Sequence, residues 1–356
     1  MDVKIGEHLI GPNHPTYFIA DISANHDGDL ERAKLLIRMA KEAGADAAKF
    51  QNFQAAKIVS DYGFKAMQGG QVSHQAAWKK SVFETYADAS VPFDWTPLLK
   101  EECDKVGIDY FSTPYDFEAV DNLDPYVPAH KIGSGDIDWT EFQLYIARKG
   151  KPVILSTGAA DIGDVQNAVH TVLPVNPQLV LLQCNTNYTA DPVNFDFINL
   201  RVLTTYQLMF PGVVIGLSDH THGHATVLGA VALGARVIEK HFTDDTTRVG
   251  PDHPFSMTPE TWRDMVDRTR ELERALGSAD KTITENEKDT SIVQRRCLRT
   301  ARDIRAGEVF TREMIAVLRP ATPCAIKPGL IPAVIGTRAL KDMPMGKELY
   351  WTDLGE

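Results

Sequence analysis

The sequence predicts an α/β fold: a (β/α)8 barrel of the TIM-barrel type, followed by a small second domain. Eight short apolar runs alternate with helical patterns over about 250 residues. A short internal repeat then follows. A doubly wound open sheet is the alternative, but it would not need eight strands, and "IGSGD" at 132–136 is too short for a GxGxxG fingerprint. We therefore predict a barrel domain over 1–277, a linker over 278–294 and a second domain over 295–356.

The predicted strands are short and apolar and end on polar residues, a pattern typical of buried parallel strands. They are YFIADIS (17–23), AAKFQ (47–51), DYFST (109–113), AHKIGS (129–134), PVILST (152–157), LVLLQC (179–184), VVIGLS (213–218) and RVIEKHF (236–242). Between the first two runs, Leu30 to Ala43 carries apolar residues on one helical face, with Gly44 placed to end the helix. Before the eighth run, GHATVLGAVALGA predicts a mostly buried helix.

The composition changes after a predicted helix at Trp262 to Ala275. The stretch 278–291 has Ile283 as its only large apolar residue, which is typical of an exposed linker. Beyond it, DIRAGEVFTREMI (303–315) aligns with DMPMGKELYWTDL (342–354). The repeat predicts a second domain with internal pseudo-symmetry that is too small to bury much core alone.

Bulk composition excludes several classes of partner. The net charge of -11 argues against nucleic acid or an anionic membrane surface. The N-terminus has no signal-peptide pattern, and no apolar run approaches the ~20 residues that span a bilayer. The four cysteines form no CxxC pair, so we expect reduced thiols in a cytoplasmic protein.

The chemistry is expected where the strands end, because barrels of this type carry their active sites at the C-terminal face. The predicted ends present Asp21 and Ser23, Lys49 and Gln51, Ser112 and Thr113, Lys131 and Ser134, Ser156 and Thr157, Asn185 to Tyr188, Ser218 to His220, and His241. Two of these are lysines within apolar strands, and a buried ammonium needs an anionic partner. Structural ion pairs of Lys49 with Asp21 and of Lys131 with Asp136 are one interpretation. Two lysines ringed by hydroxyls suit a bound phosphate better.

The histidines indicate a second feature of the site. His220 and His241 end adjacent strands, and two neutral imidazoles can hold one divalent ion, with water or substrate in its other positions. A lone histidine is more commonly a packing residue, which is our interpretation of His222 and His224. Glu239 falls on the same face as His241, one layer deeper, where it could orient or charge-balance the metal site.

These stretches resemble a known family. The motifs are FIADISANHDGDLERAKLLIRMAKEAGADAAKFQNF, FSTPYD, HKIGSGD, VILSTG, LLQCNTNY, GLSDHT and ALGARVIEKHFTDDTTRVGPDHPFSM. They resemble the sialic acid synthase (N-acetylneuraminate synthase) family over nearly the whole chain. The C-terminal region resembles that family's antifreeze-like SAF domain, a β-clip fold.

The resemblance implies a metal-dependent transferase that condenses phosphoenolpyruvate with an N-acyl-hexosamine such as N-acetylmannosamine. The metal it implies is Mn²⁺, with Mg²⁺ or Co²⁺ as alternatives. It implies that the phosphoenolpyruvate is held by Lys49, Thr113, Lys131, Ser134, Ser156 and Ser218, the metal by His220 and His241, and the sugar by Gln51, Asp136 and Tyr188. It also implies a domain-swapped homodimer, in which Arg319 reaches into the partner's barrel to contact the acyl group of the sugar.

The chain departs from the family pattern near the sugar. Asp21 replaces the usual glutamate, Thr186 and Asn187 stand in an altered CTN-Y motif, and "RPAT", which begins at Arg319, stands where "RPG" is usual. The phosphate-binding residues are intact. We therefore expect a phosphoenolpyruvate-dependent synthase whose acceptor is open. Legionaminate- or pseudaminate-type sugars and a phosphorylated aldose remain alternatives, as does a non-catalytic sugar-binding protein of polysaccharide assembly.

Overall fold

The computed structural model describes residues 2–67, 75, 78 and 80–356. Contacts divide the chain into two compact units, Met1–Gly277 and Ser278–Glu356. The strands of the first unit are β1 (Val3–Ile5), β2 (His8–Ile10), β3 (Tyr17–Asp21), β4 (Ala47–Asn52), β5 (Asp109–Pro114), β6 (His130–Ile132), β7 (Val153–Ser156), β8 (Leu179–Cys184), β9 (Val214–Asp219) and β10 (Val237–His241). Its helices are α1 (Leu30–Glu42), α2 (Ala55–Ile58), α3 (Asp61–Ala66), α4 (Val82–Ala89), α5 (Thr96–Val106), α6 (Phe117–Leu123), α7 (Thr140–Ala147), α8 (Ile162–Val172), α9 (Val202–Met209), α10 (Ala225–Ala232) and α11 (Pro259–Leu276).

Strands β3 to β10 form the predicted barrel, and all eight predicted strands are confirmed. They pair in the order β5-β4-β3-β10-β9-β8-β7-β6, and every ladder is parallel. The eight strands form a nearly closed barrel, whose two end strands are β5 and β6. Helix α1 begins where expected, since the Asp29 carboxylate accepts hydrogen bonds from the amides of Glu31 and Arg32. It ends before Gly44, whose φ of 97° favours glycine.

The lower, N-terminal end of the barrel is filled by apolar side chains. The antiparallel hairpin β1–β2, which the sequence analysis did not predict, contributes Val3, Ile5 and Ile10 to this cluster. They pack with inward-facing barrel residues such as Phe111 and Leu182. The barrel is therefore a packed core at this end, and its polar side chains are left at the other end.

The second unit contains the strands β11 (Cys297–Thr300), β12 (Ile315–Leu318), β13 (Arg338–Ala339) and β14 (Leu354–Gly355), and the short helices α12 (Lys288–Val293) and α13 (Ile331–Val334). The predicted repeat appears as a reciprocal contact. The Asp303 carboxylate accepts a hydrogen bond from the amide of Met345 at 2.7 Å, and the Asp342 carboxylate accepts one from the amide of Ala306 at the same distance. The two copies of the motif thus close on each other.

The segment 278–294 is largely exposed and includes α12, a short helix that the sequence analysis did not predict. The amide of Ala321 donates a hydrogen bond to the carbonyl of Ile292 at 2.9 Å, which ties this helix to the rest of the second unit. Within the described residues, none of the helices combines the length and apolarity needed to cross a bilayer.

Candidate active site

The C-terminal ends of the barrel strands surround a cavity of about 450 Å³. Thirteen of the candidate residues that the sequence analysis placed on the barrel line it: Asp21, Lys49, Gln51, Thr113, Lys131, Ser134, Asp136, Ser156, Thr186, Tyr188, Ser218, His220 and His241. The other predicted strand-end residues are not among its lining residues: Ser23, Ser112, Thr157, Asn185, Asn187 and Asp219. Arg319 lies on the second unit, directly after β12, where it is exposed. The strand-end residues, scattered over 220 positions of sequence, thus converge on one site.

The two lysines share one buried carboxylate. Lys131 Nζ lies 3.3 Å from one oxygen of Glu239, and Lys49 Nζ lies 3.9 Å from the other. Lys49 also forms an ion pair of 2.6 Å with Asp21, as one interpretation of the sequence expected. The expected pair of Lys131 with Asp136 is wrong, because Glu239 takes that position. We call Lys49, Lys131 and Glu239 the lysine cluster.

Glu239 lies one layer deeper than His241, as the sequence predicts, and its charge opposes the lowering of the His220 pKa. It lies level with Ser218 on β9, two residues below the strand end, and accepts a hydrogen bond of 3.0 Å from that hydroxyl. Burial alone would raise the pKa of Glu239, but the ammonium groups of Lys131 and Lys49 outweigh it and lower the pKa to about 2. Glu239 is thus a carboxylate held between two cations.

Hydroxyl groups surround the lysine cluster. Lys131 Nζ donates to Ser156 Oγ at 2.7 Å, and Lys49 Nζ donates to Thr113 Oγ1 at 3.3 Å. Ser134 Oγ accepts from the amide of Gly158 at 2.9 Å, which fixes it at the rim. Burial lowers the pKa of Lys131, and Glu239 opposes that effect. Cations and rotatable hydroxyls in one pocket form a site suited to a multiply charged oxyanion.

The histidine pair lies beside this cluster. The ring centroids of His220 and His241 are 5.3 Å apart. His220 Nδ1 donates to the carbonyl of Asn185 at 2.7 Å, which leaves Nε2 as the atom with a free lone pair. Burial, and then the neighbouring His241, lower the pKa of His220 to about 3, so the ring is neutral. Neutral, buried and oriented by a carbonyl, His220 has the properties of a metal ligand.

His241 is similarly buried. Its Nδ1 has no hydrogen-bond partner and lies 3.6 Å from Asp252 Oδ2, while Nε2 lies 3.6 Å from Asp21 Oδ2. In the described part of the chain, no group of three or more His, Cys, Asp and Glu side chains is arranged to hold a metal ion. The two imidazoles of His220 and His241 are thus the nitrogen donors of this part of the cavity, and imidazole is a ligand type that divalent transition metals accept.

Aromatic rings pack against the histidine pair. Tyr188 lies edge-on to His220 with centroids 4.4 Å apart, and Phe255 lies 4.9 Å from His241. Sequence reasoning missed Phe255 and Asp252 as parts of the site. Both lie after β10, where strand periodicity gives no signal, and only their place in the stretch GPDHPF (250–255) of the last family motif could have identified them.

The remaining candidates lie at the rim of the cavity. Gln51 Nε2 donates to Asp21 Oδ2 at 3.4 Å. Asp136 has one buried oxygen without a hydrogen-bond partner, and burial, followed by Asp138, raises its pKa to about 6. His222, predicted to be a bystander, is exposed and bonds to the carbonyl of Ala190.

The chain thus has an α/β barrel whose strand ends present a paired-lysine site next to a paired-histidine site. Residues 36–281 match the model of the NeuB family, and residues 295–355 match that of the SAF domain. The protein belongs to the NeuB family and carries a C-terminal SAF domain.

Relatives with named activities align over most of the chain. The N,N'-diacetyllegionaminic acid synthase of Legionella pneumophila is 35% identical, with 96% of this chain and 95% of the relative covered. The human N-acetylneuraminate-9-phosphate synthase is 34% identical, with 93% and 90% covered. Among solved structures, the N-acetylneuraminic acid synthetase of Leptospira borgpetersenii, in complex with citrate, is similar with a TM-score of 0.70 and 30% identity, over 82% of this chain and 95% of that one.

Proposed function

We propose that this protein is a nonulosonic acid synthase, which condenses phosphoenolpyruvate with an unphosphorylated N-acyl-hexosamine to give a nine-carbon 2-keto-3-deoxy sugar acid and phosphate. One observation carries the proposal. Asp21 Oδ2 lies 2.6 Å from Lys49 Nζ and 3.6 Å from His241 Nε2, so the anion-binding side and the histidine side share one wall. Two substrates bound there would be within reacting distance.

The lysine cluster is the proposed site of phosphoenolpyruvate. Its phosphate and carboxylate would accept hydrogen bonds from the surrounding hydroxyls, while Lys49 and Lys131 offset the charge. Because Glu239 occupies the space between the lysines, the incoming anion competes with it for the same cations. The two lysines and Glu239 together carry one net positive charge, which Asp21 offsets at Lys49 before the substrate arrives.

The histidine pair is the proposed site of the divalent metal, for which Mn²⁺ is our expectation and Mg²⁺ or Co²⁺ are alternatives. When bound there, such an ion polarises the aldehyde oxygen of the open-chain sugar. On our proposal, Gln51, Asp136, Thr186 and Tyr188 orient the sugar. Asp21, paired with Lys49, acts from the wall between the two substrates.

The reaction then proceeds with a simple balance of atoms. C3 of phosphoenolpyruvate forms a bond to the aldehyde carbon, whose oxygen becomes the new hydroxyl. Water adds to C2, and the resulting adduct loses inorganic phosphate to leave the keto group. The chain's own contribution is to hold both substrates and to stabilise the charges that develop on them.

The charges of the barrel favour a neutral acceptor over a phosphorylated one. A second phosphate would need a further cation, and Arg248 lies in the loop after β10. Its guanidinium lies 3.1 Å from Asp244 and 3.7 Å from Asp27. On the acceptor side, the described barrel residues bring the carboxylates of Asp21 and Asp252 to the histidine pair. These would repel a sugar phosphate.

The test is phosphate release from phosphoenolpyruvate with Mn²⁺ and a panel of free and 6-phosphorylated N-acyl-hexosamines. We expect turnover with free N-acetylmannosamine or a 6-deoxy diacetamido sugar. A strong preference for a phosphorylated sugar would overturn the choice of acceptor. Sugar binding without turnover on the whole panel would instead favour a non-catalytic role.

We further propose a domain-swapped homodimer, in which Arg319 of one subunit contacts the acyl group bound in the other. Arg319→Ala should then raise the KM for the sugar far more than the KM for phosphoenolpyruvate. Equal effects on the two constants would contradict this role.

A further inference from the structure

A second buried ion pair lies directly behind the histidine pair, on the outer face of the barrel. Asp219 is the last residue of β9, directly before His220, and Lys240 precedes His241 on β10; Asp219 and Lys240 are cross-strand neighbours. Because side chains alternate along a strand, the histidines face the cavity while Asp219 and Lys240 face the helices. Lys240 Nζ donates to the Asp219 carboxylate, and both side chains are almost fully buried.

Lys240 also holds the chain on the far side of His220. Its Nζ donates to the carbonyl of Thr221 at 2.6 Å, so one ammonium group binds the residues immediately before and after His220. Thr221 in turn donates from its amide and hydroxyl to Asp219 at 3.2 and 3.0 Å. The segment 219–221 is thereby closed into a compact turn around the His220 backbone.

Helix α10 completes the arrangement. Thr226, in its first turn, donates its hydroxyl to Asp219 Oδ2 at 2.7 Å. Gly216, three residues before Asp219, allows β9 and β10 to approach closely, since a Cβ there would lie 2.3 Å from the carbonyl of Val237. We call Asp219, Thr221, Thr226 and Lys240 the outer clamp.

We propose that the outer clamp is a positioning device that fixes the spacing of His220 and His241 for a divalent cation. This inference rests on the proposed function, in which those two rings hold the metal. The clamp residues are not among those that line the cavity; on this inference they act through the backbones of the two histidines.

The energetics support a role beyond stability. A buried ion pair contributes little net stability over a well-packed apolar pair, because desolvation offsets the attraction. Among the ion pairs that join barrel strands in the described residues, this one alone faces the helices; the others line the cavity. Its benefit is geometric, since one ammonium group holds two acceptors in fixed directions.

The test replaces the pair with apolar residues in Asp219→Leu/Lys240→Met, which removes both charges together and leaves no unpaired buried ion. Mn²⁺ affinity is measured by calorimetry, and the geometry of bound metal by the visible spectrum of the Co²⁺-loaded protein. We expect Mn²⁺ affinity to fall about tenfold to a hundredfold, with a changed Co²⁺ spectrum. Phosphoenolpyruvate affinity should stay within a factor of about three.

The matched control is Arg38→Met/Glu102→Leu, which removes an ion pair of 2.6 Å between α1 and α5, away from the histidines. It should leave Mn²⁺ affinity unchanged whatever it does to the melting temperature. Unchanged Mn²⁺ affinity and Co²⁺ spectrum in the clamp variant would overturn the inference, even if that variant melts earlier.

Two further variants keep the outcomes separable. If the double variant fails to fold, Thr226→Val removes one clamp hydrogen bond at nearly constant volume and should still weaken Mn²⁺ binding by a factor on the order of three. His220→Ala tests the proposed function itself. Loss of Mn²⁺ binding in His220→Ala but not in the clamp variants rejects the clamp alone, whereas unchanged binding in His220→Ala rejects the metal site on which the clamp depends.

Discussion

The lysine cluster and the histidine pair lie side by side in one cavity but differ in how their polar groups are satisfied. In the cluster, each ammonium group has both a carboxylate and a hydroxyl within reach. At the histidine pair, His241 Nδ1 is buried without a hydrogen-bond partner, and within the cluster the same holds for one carboxylate oxygen of Glu239. The cluster is held together by ion pairs, whereas His220 is oriented by a backbone carbonyl at 2.7 Å and is neutral. On our proposal, the two regions bind chemically different ligands, an oxyanion at the lysines and a divalent metal at the histidines.

The largest effect is expected when either histidine of the pair is removed, which should disrupt the histidine side of the cavity alone. His220→Ala and His241→Ala should each abolish detectable turnover and weaken Mn²⁺ binding at least about a hundredfold, because a metal held by two imidazoles loses half of its protein ligands. Calorimetric titration with Mn²⁺ and phosphate-release assays measure the two effects. His222→Ala is the control and should behave as the unmodified protein. If His222→Ala lost as much activity, the assignment of the ligands would be wrong.

The second largest effect is expected when a lysine of the cluster is removed, which should disrupt the lysine side of the cavity alone. Lys131→Met should weaken phosphoenolpyruvate binding about a hundredfold, since it removes one of two buried cations that face the anion. Mn²⁺ affinity should be unchanged, and titration calorimetry with each ligand measures both. Lys151→Met is a suitable control, because Lys151 precedes β7 at the opposite end of the barrel. Equal loss of Mn²⁺ and phosphoenolpyruvate binding in Lys131→Met would contradict the division between the two regions.

A third effect sharpens the comparison through Glu239. Glu239→Gln leaves the two lysines without their shared carboxylate, so the ligand-free variant should melt about 5 °C lower at pH 7. Phosphoenolpyruvate should raise its melting temperature more than it raises that of the parent protein, because the anion no longer competes with Glu239. Scanning calorimetry with and without phosphoenolpyruvate measures both.

The pH dependence of that difference follows from the lowered pKa. A carboxyl group whose folded pKa is depressed stabilises the fold above its usual pKa of 4.5, and this contribution is lost as the pH falls toward about 2. The difference in melting temperature between the ligand-free parent protein and Glu239→Gln should therefore be constant near neutrality and shrink below about pH 4.5. A difference in melting temperature that increased on acidification would contradict the conclusion that Glu239 is ionised in the folded protein.

The smallest effect concerns Asp136. Its raised pKa of about 6 means that the carboxylate forms only near neutrality, so kcat/KM should fall on the acid side with a midpoint near that value. Asp136→Asn should remove this limb from the pH profile. Asp138→Asn, which removes the neighbouring charge, should instead move the limb to lower pH. An acid limb that is unchanged in Asp136→Asn would assign it to another group.

Much of the fold could be predicted from the sequence, because the barrel strands share one recognisable pattern. Each barrel strand is a short apolar run ending on polar residues, and the candidate residues at those ends meet in one cavity. The hairpin β1–β2 was not readable, since three-residue strands carry too little periodicity. Nor was α12, whose polar composition is equally typical of a linker.

The partners of the charged residues were harder to predict than their positions. Sequence periodicity placed Glu239 on the inner face correctly, but it could not show that long lysine side chains from β4 and β6 reach across the barrel to it. The outer clamp was hidden for the same reason. Asp219 and Lys240 are 21 positions apart, and only the parallel register of β9 and β10 makes them neighbours.

The most direct test of the account is the product formed from phosphoenolpyruvate and free N-acetylmannosamine, followed by mass spectrometry together with phosphate release. The account predicts one phosphate released for each nine-carbon keto acid formed, and no release when the metal, the sugar or the lysine cluster is removed. Phosphate release without the sugar, or keto acid formed after complete removal of divalent metal, would contradict the claim that the two neighbouring sites act together.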